Sequence, residues 1–404
     1  IFWGFLVLTV GTVEFFGQGV TEAFFLPGLS HTAPYLIVQD VFSLAVILAV
    51  AYAAFRRLVT RPLRLTLSTE GLVILLLIAA LMVTDVLADA GRMRLAPSPA
   101  DRWAFAGSAL AGLLGGLPEG VVQTSVHLAW WSHAVILVGF LVWLPYSKHL
   151  HIMAAPFNVF FAPLGPKGAL EKPDLEASET FGVGQITEFT WKGLFDLYNC
   201  TECGRCTSGC PATASGKQLD PKMLILNLQE HLLEQGPALL GGKGGGEAGR
   251  AMVGKVITDD VLWACTTCRW CVEACPVFIE HVPKIVDMRR YLVLSESRFP
   301  EELKPTFRNL ETNFNPWQMS SQTRVDWARD LGVKVMADVG EAEYLYWVGC
   351  YGSFDERNRK VARAVVKILQ TAGVGFAILG NEEKCTGEPA RRAGHEYLYQ
   401  TLAQ

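Results

Sequence analysis

Eight cysteines fall into two runs of one spacing, CTECGRCTSGCP from Cys200 to Pro211 and CTTCRWCVEACP from Cys265 to Pro276. Each run reads C-x2-C-x2-C-x3-C-P. Three thiolates this close wrap one iron–sulfur cubane, and a proline after the fourth cysteine turns that ligand towards a second cubane. The assignment is therefore crossed. One [4Fe-4S] cluster takes Cys200, Cys203, Cys206 and Cys275; the other takes Cys265, Cys268, Cys271 and Cys210. Zinc is the competing chemistry, but zinc knuckles use paired C-x2-C elements rather than four cysteines in a run closed by proline. All ten cysteines lie at or after Cys200. Tight clusters in a long chain point to metal ligation in a reducing compartment, not to a disulfide scaffold.

A second set of ligand-type residues lies upstream, in VHLAWWSHAVILVGFLVWLPYSKHLHI. Eighteen residues, five turns of an ideal helix, separate His133 from His151, so the two imidazoles share one face about 27 Å apart. Two imidazoles on one face at opposite depths suit a helix that ligates two stacked b-type haems. Pro145 should kink this helix and blur the phase of its last turns. An ionisable group among apolar neighbours, as at His133, reads as functional. His149 points nearly opposite and, beside Lys148, reads as interfacial; His127 lies off the stripe near an outer end. Glu14, Asp40, Asp85 and His127 fall towards the outer ends of their segments, where they either carry protons for a quinone site or simply solvate helix ends.

Two kinds of chain must position these groups. Half of the 404 residues are hydrophobic and the mean hydropathy is positive, but nearly all long apolar runs precede residue 150 and most charge follows it. That asymmetry implies a membrane domain followed by a water-exposed one. Four segments are long enough to span: Ile1–Val20, Tyr35–Phe55, Gly71–Ala88 and Val122–Tyr146. Trp103–Leu117, shorter and rich in Gly and Ala, reads as a surface or re-entrant helix. The loop RRLVTRPLR carries Arg56, Arg57, Arg61 and Arg64 and should face the cytoplasm. By alternation, the loops around His31 and Met93 lie outside, and the chain returns inside near Lys148, which places the cysteine runs in the cytoplasm. A second axial ligand for either haem must come from elsewhere, because the first three spans lack histidine and His31 sits in an outer loop. The chain opens inside an apolar helix, without Met, and reads as a fragment of a longer protein. A net charge of −4 and the lack of a basic, aromatic-laced stripe argue against nucleic-acid binding.

Between the runs, PKMLILNLQEHLLEQ predicts a helix and GGKGGGEAGR a flexible linker. From Glu343 the pattern turns α/β: YLYWVGC predicts a buried strand ending at Cys350, Asp355–Ala372 a helix, and VGFAIL a second strand, with Cys385 following it in NEEKCTGEPARR. The expected architecture is an α-helical transmembrane bundle, an α-helical two-cluster ferredoxin domain and the start of a small α/β cysteine-rich domain. Its expected bounds are 1–155 for the membrane cytochrome b domain, 156–190 for a linker, 191–300 for the cluster domain, 301–340 for a helical connector and 341–404 for the cysteine-rich domain.

The paired runs, NFNPW at Asn313–Trp317, and GC…CTGEPARR after it together resemble the heterodisulfide-reductase-like iron–sulfur oxidoreductases, from about Thr180 onward. The membrane half resembles the cytochrome b gamma subunit of nitrate reductase, whose last helix SHAVILVGFLVWLPYSKHLHI matches, with His133 and His151 at haem-ligating positions. Fused in this order, the halves look most like membrane-bound oxidoreductases that take electrons from electron-transfer flavoprotein and pass them to menaquinone. The repeat normally reads Cys-Cys-Gly; here it is Cys385-Thr386-Gly387. The resemblance implies a third, non-cubane cluster on Cys350 and Cys385, completed by residues beyond Gln404.

The implied protein lies multi-pass in the cytoplasmic membrane with its clusters on the cytoplasmic side. It passes electrons from a soluble flavoprotein through two [4Fe-4S] clusters and haem b to menaquinone, alone or with further respiratory subunits. The protein supplies spacing and potential tuning while the cofactors supply the chemistry. Three rivals stand beside this reading: a quinol-linked disulfide or heterodisulfide reductase, a non-catalytic electron-wire subunit, and a membrane-anchored iron–sulfur redox sensor.

Overall fold

The computed structural model describes residues 2–21, 24, 26, 28, 32–62, 64–176, 180–241 and 252–403, without the side chains of residues 2–6, 8 and 20. Ile1, His31, Leu63, Gln404 and all of the GGKGGGEAGR stretch but Gly241 lie outside the described residues. The chain divides into two compact units, Ile1–Phe157 with Asn199–Gly204, and Asn158–Tyr198 with Arg205–Gln404.

In the first unit, three described helices are long and apolar enough to cross a membrane: Ala33–Thr60, Thr69–Leu95 and Glu119–Tyr146. The expected first span is a helix over Phe2–Val20. Each start has a local cause. Pro34 and Pro118 stand at helix beginnings, where a missing N–H is harmless, and the Ser68 hydroxyl accepts the Gly71 N–H at 3.2 Å. Ile74, Leu81, Val122 and Ala129 are buried between helices, whereas Leu48, Leu76, Leu128 and Val135 face outward. Such an apolar exterior suits lipid as its solvent. The short segment is a helix over Phe105–Leu113 whose Ala106 N–H is accepted by Asp40 at 2.6 Å.

One expectation fails here. His133 and His151 do not share a continuous helix. The helix Glu119–Trp143 tightens into one turn over Leu144–Tyr146, Ser147 is extended (φ −114°, ψ 169°), and a separate helix runs over Leu150–Phe160. Pro145 cannot continue the hydrogen-bond ladder, and the Ser147 hydroxyl instead accepts the His149 N–H at 3.1 Å, restarting the chain.

In the second unit, helices Pro221–Leu240 and His281–Arg290 bury Leu224, Ile225, Leu228, Ile285 and Met288 against Leu262 and Leu292. Pro221–Leu240 is the helix expected between the runs, capped by the Asp220 carboxylate. The tail is a small parallel sheet of order β1-β3-β2, with β1 Lys334–Val335, β2 Tyr344–Leu345 and β3 Phe376–Ile378. Its β1 comes from the stretch expected to be a helical connector. The crossover helix Glu356–Thr371 is capped by Asp355 and packs Ala362 and Val366 on the sheet with Trp327. The expected strand through Cys350 stops at Leu345. Cys350 lies in a helical turn, Gly349–Phe354, because the carboxylate of Glu383 accepts the N–H groups of Val348 and Gly349 and folds the backbone there.

Candidate metal-cluster site

The two cysteine runs adopt one backbone twice. In the first, Glu202 (φ 50°) and Gly204 (φ 69°) flank Cys203; in the second, Thr267 (φ 55°) and Arg269 (φ 65°) flank Cys268. Three of these four are not glycine, and such left-handed residues, each costing of order 1–3 kcal/mol, cluster where a ligand clamp over-determines the backbone. After its third cysteine each run enters one helical turn, Arg205–Ser208 or Trp270–Glu273. Gly204 is required, since a Cβ there would stand 2.5 Å from the Arg64 carbonyl oxygen.

Of the first ligand set, Cys200 and Cys203 belong to the first unit and Cys206 and Cys275 to the second. The second set lies wholly in the second unit, where Cys265, Cys210 and Cys268 all act electrostatically on Cys271. Burial first, and then these neighbouring thiols, push Cys271 above the ordinary thiol range. Burial also pushes Cys265 up, against the Thr267 N–H at 3.3 Å and the charge of Arg289. None of the ten cysteines forms a disulfide. Among the described residues no three His, Cys, Asp or Glu converge as ligands of a single metal ion. Crowded, buried thiols that resist ionisation fit a multinuclear iron–sulfur core, whose iron supplies the charge that makes thiolates favourable.

A buried polar network anchors the chain just after Cys275. The Asp196 carboxylate accepts from Lys284 (2.5 Å), Lys192 (2.6 Å), Asn158 (3.1 Å) and the Glu280 N–H (3.2 Å), while Asn158 also donates to the Val277 carbonyl at 2.8 Å. The Ile279 N–H then donates to the Cys275 sulfur at 3.4 Å.

Both haem candidates present the tautomer a metal ligand needs. His133 is buried; its Nδ1 lies 3.1 Å from the Leu81 carbonyl and 3.1 Å from the Thr84 hydroxyl, and its ring packs 4.4 Å from Phe15. His151 Nδ1 lies 2.6 Å from the Lys148 carbonyl. A carbonyl only accepts, so each Nδ1 carries the proton and each Nε2 keeps its lone pair. In the first unit a cavity of about 450 Å³ is lined by His149, His151, Arg56, Arg57, Lys148 and Cys203, among others. Glu14 and Asp85 meet at a small cavity with Asp89 and Arg92. Asp40 serves as a helix cap and His127 is exposed, so those two do not join it.

In the tail, Cys350 and Cys385 are hydrogen-bonded to each other. The Cys350 hydrogen bond and the Gly387 N–H, outweighing burial, hold the Cys385 thiol down to about 7, while Cys350 is pushed up. Arg324 donates to the Cys350 sulfur (3.3 Å) and pairs with Glu383 (3.1 Å). NFNPW forms the turn beneath: the Phe314 carbonyl accepts the Cys385 N–H at 2.9 Å, and Trp317 packs edge-on against Tyr351. Arg324, Glu383 and the Asp196 network have no signature in the sequence, because their partners lie 26 to 88 residues away.

The fold and the two thiol sets define an iron–sulfur protein with a membrane unit. Residues 199–279 match the 4Fe-4S dicluster domain and residues 344–404 the Cysteine-rich domain. The whole chain aligns with the probable iron-sulfur-binding oxidoreductase FadF of Bacillus subtilis, 38% identical over 443 aligned positions and covering 63% of that protein. It also aligns throughout with the EtfAB:quinone oxidoreductase of Syntrophomonas wolfei, 36% identical and covering 61% of it. A probable membrane-anchored ferredoxin of Chromohalobacter salexigens is 41% identical over 59% of the chain and 38% of its own length. The chain thus spans about six-tenths of the first two relatives. No solved structure matches. The chain belongs to the heterodisulfide-reductase-like iron–sulfur oxidoreductases, and it is a membrane protein.

Proposed function

We propose that this protein is a membrane-bound oxidoreductase that takes electrons from a soluble donor, reduced electron-transfer flavoprotein, and delivers them to menaquinone. The observation that carries the reading is the alignment of the entire chain with an EtfAB:quinone oxidoreductase. Cys200, Cys203, Cys206 and Cys275 hold one [4Fe-4S] cluster; Cys265, Cys268, Cys271 and Cys210 hold the other; His133 and His151 each hold a b-type haem through Nε2. When bound, these groups supply a one-electron relay between donor and acceptor.

The chain's own residues do the positioning. The left-handed residues around Cys203 and Cys268 set the thiols, and the Thr267 and Ile279 N–H groups donate to cluster-ligand sulfurs. The Leu81, Thr84 and Lys148 oxygens fix the two imidazoles. Arg56, Arg57 and Lys148 give the cavity beside His151 a cationic rim suited to haem propionates. The clusters lie on the cytoplasmic side of a multi-pass membrane domain, and Cys350 with Cys385 begin a third, non-cubane cluster site. Further respiratory subunits are compatible with this arrangement.

One observation favours a second reading. Two hydrogen-bonded tail cysteines beside Arg324 also suit a quinol-linked disulfide or heterodisulfide reductase.

The test is anaerobic reduction of a menaquinone analogue by the purified full-length protein, with and without reduced electron-transfer flavoprotein. Flavoprotein-dependent turnover supports the reading. Reduction by dithionite alone removes the flavoprotein as donor and moves the disulfide and wire-subunit readings ahead.

A further inference from the structure

Arg289 lies in the helix His281–Arg290 and is buried. Its Nε and Nη2 donate to the Leu262 carbonyl (3.0 and 2.6 Å), Nη2 donates also to the Cys265 carbonyl (2.6 Å), and Nη1 donates to the Arg392 carbonyl (2.8 Å). The guanidinium rests over the Trp263 ring at 5.1 Å. Every one of these acceptors is neutral. No described carboxylate pairs with Arg289, whereas the equally buried Arg290 pairs with Glu396 and Asp287, and Arg324 pairs with Glu383.

Carbonyl dipoles satisfy donors but do not cancel a charge. A buried cation left without an anion is strongly unfavourable, and such groups are found paired or beside metal centres. The one acidic group acting on Arg289 is the thiol of Cys265, one of the second ligand set. The tail keeps the guanidinium in place: Arg392 supplies the Nη1 acceptor, and Gly394 packs so closely that a Cβ there would stand 2.5 Å from the Arg289 carbonyl carbon.

Resting on the ligand assignment proposed above, we infer that Arg289 is the counter-cation of the iron–sulfur cluster held by Cys210, Cys265, Cys268 and Cys271, and that it raises that cluster's reduction potential. The reasoning is a charge balance. Reduction adds one electron, taken from dithionite in a titration, and so one negative charge to the cluster and its thiolates. A fixed positive charge a few ångströms away favours the reduced form, by a factor of ten or more even at an effective dielectric of about 20. Arg289 is thus a positioning and potential-setting residue.

The test is an anaerobic redox titration of the full-length protein followed by electron paramagnetic resonance. Cys268→Ser first identifies the signal belonging to this cluster. Arg289→Gln, which keeps N–H donors without the charge, should shift the oxidised-to-reduced ratio of that signal at least tenfold towards oxidised, about 60 mV lower for a one-electron couple. Arg289→Lys, which keeps the charge, should move it less than threefold, and the other cluster's signal should not move. If Gln and Lys variants shift equally, or Gln does not shift, Arg289 is only a structural clasp and the inference falls. If Arg289→Gln folds without this cluster while Arg289→Lys retains it by iron content, the charge is required and the inference stands; loss in both overturns it. If Cys268→Ser leaves both signals intact, the ligand assignment itself is wrong, a failure distinct from that of Arg289.

Discussion

Lys284→Met isolates the network that anchors the chain after Cys275. Asp196 and Lys284 are both almost wholly buried, and their ion pair at 2.5 Å is supported by Lys192, Asn158 and the Glu280 N–H. Removing one partner of a buried pair costs about 3–5 kcal/mol, since the other charge stays behind. Three donors to Asp196 survive the substitution, so the lower end applies, about 3 kcal/mol. For a unit of this size each kcal/mol is worth roughly 2–4 °C, which predicts a fall of about 6–12 °C in the midpoint at pH 7.5. The assay is thermal unfolding followed by near-ultraviolet circular dichroism, with visible absorbance reporting cluster loss in the same scan.

The pH dependence sharpens the same test. Burial acts to raise the Asp196 carboxyl, but the ammonium groups of Lys284 and Lys192 and their hydrogen bonds overcome it and hold the carboxyl below its ordinary value of 3.8. A carboxyl depressed in the folded state contributes stability that is present above its unfolded pKa and lost as pH falls through the folded one. Wild-type protein should therefore lose this contribution only below about pH 3.8, and the variant at higher pH. A midpoint shift under 2 °C, with an unmoved acid limb, would refute the reasoning, because the pair would then be replaceable by Lys192 alone.

Two further outcomes are expected. Burial, aided by the nearby charge of Lys284, pushes the His281 imidazole down to about 4; between pH 6.5 and about 4 the unfolded chain takes a proton the folded chain refuses, so stability should fall by up to about 3 kcal/mol. His281→Gln should flatten that slope in denaturant titrations at pH 7.5, 6 and 5, and an unchanged slope would assign the effect to other groups. His133→Ala, which removes an imidazole whose Nδ1 is already committed to Leu81 and Thr84, should abolish one haem's absorbance in reduced-minus-oxidised spectra while leaving the cluster signals in place; a spectrum identical to wild type would dismiss His133 as a ligand.

What could be read from the sequence was local. Cysteine spacing fixes which thiols can gather, apolar length marks spans, and Asp220, Ser68 and Asp355 announce helix starts within a turn of themselves. Errors arose where a short-range signal met a longer-range one. YLYWVGC has strand composition, but Glu383, 34 residues away, captures the Gly349 N–H and turns the chain helical at Cys350. The five-turn phase of His133 and His151 assumes a helix that Pro145 and Ser147 interrupt. Arg289, Arg324 and Lys284 look like ordinary surface cations, because nothing in a linear pattern shows that each is buried against a partner from another segment.

The accounting of buried charge separates the two cysteine environments more sharply than motif spacing does. Arg324 touches Cys350 but is neutralised by Glu383, so the tail thiols sit in a nearly balanced field in which Cys385 alone approaches ionisation near neutral pH. Arg289 touches the Cys265 backbone with no carboxylate to balance it. A site with an unbalanced buried cation is prepared for a ligand set more negative than neutral thiols, and a balanced site is not. The second ferredoxin-type set is therefore electrostatically complete only when it carries net negative charge, as four thiolates around an iron–sulfur core do, while the tail pair is already complete as one thiol and one thiolate. Any assignment that treats all ten cysteines as equivalent metal ligands must explain why the protein places a free cation at one set and a compensated one at the other.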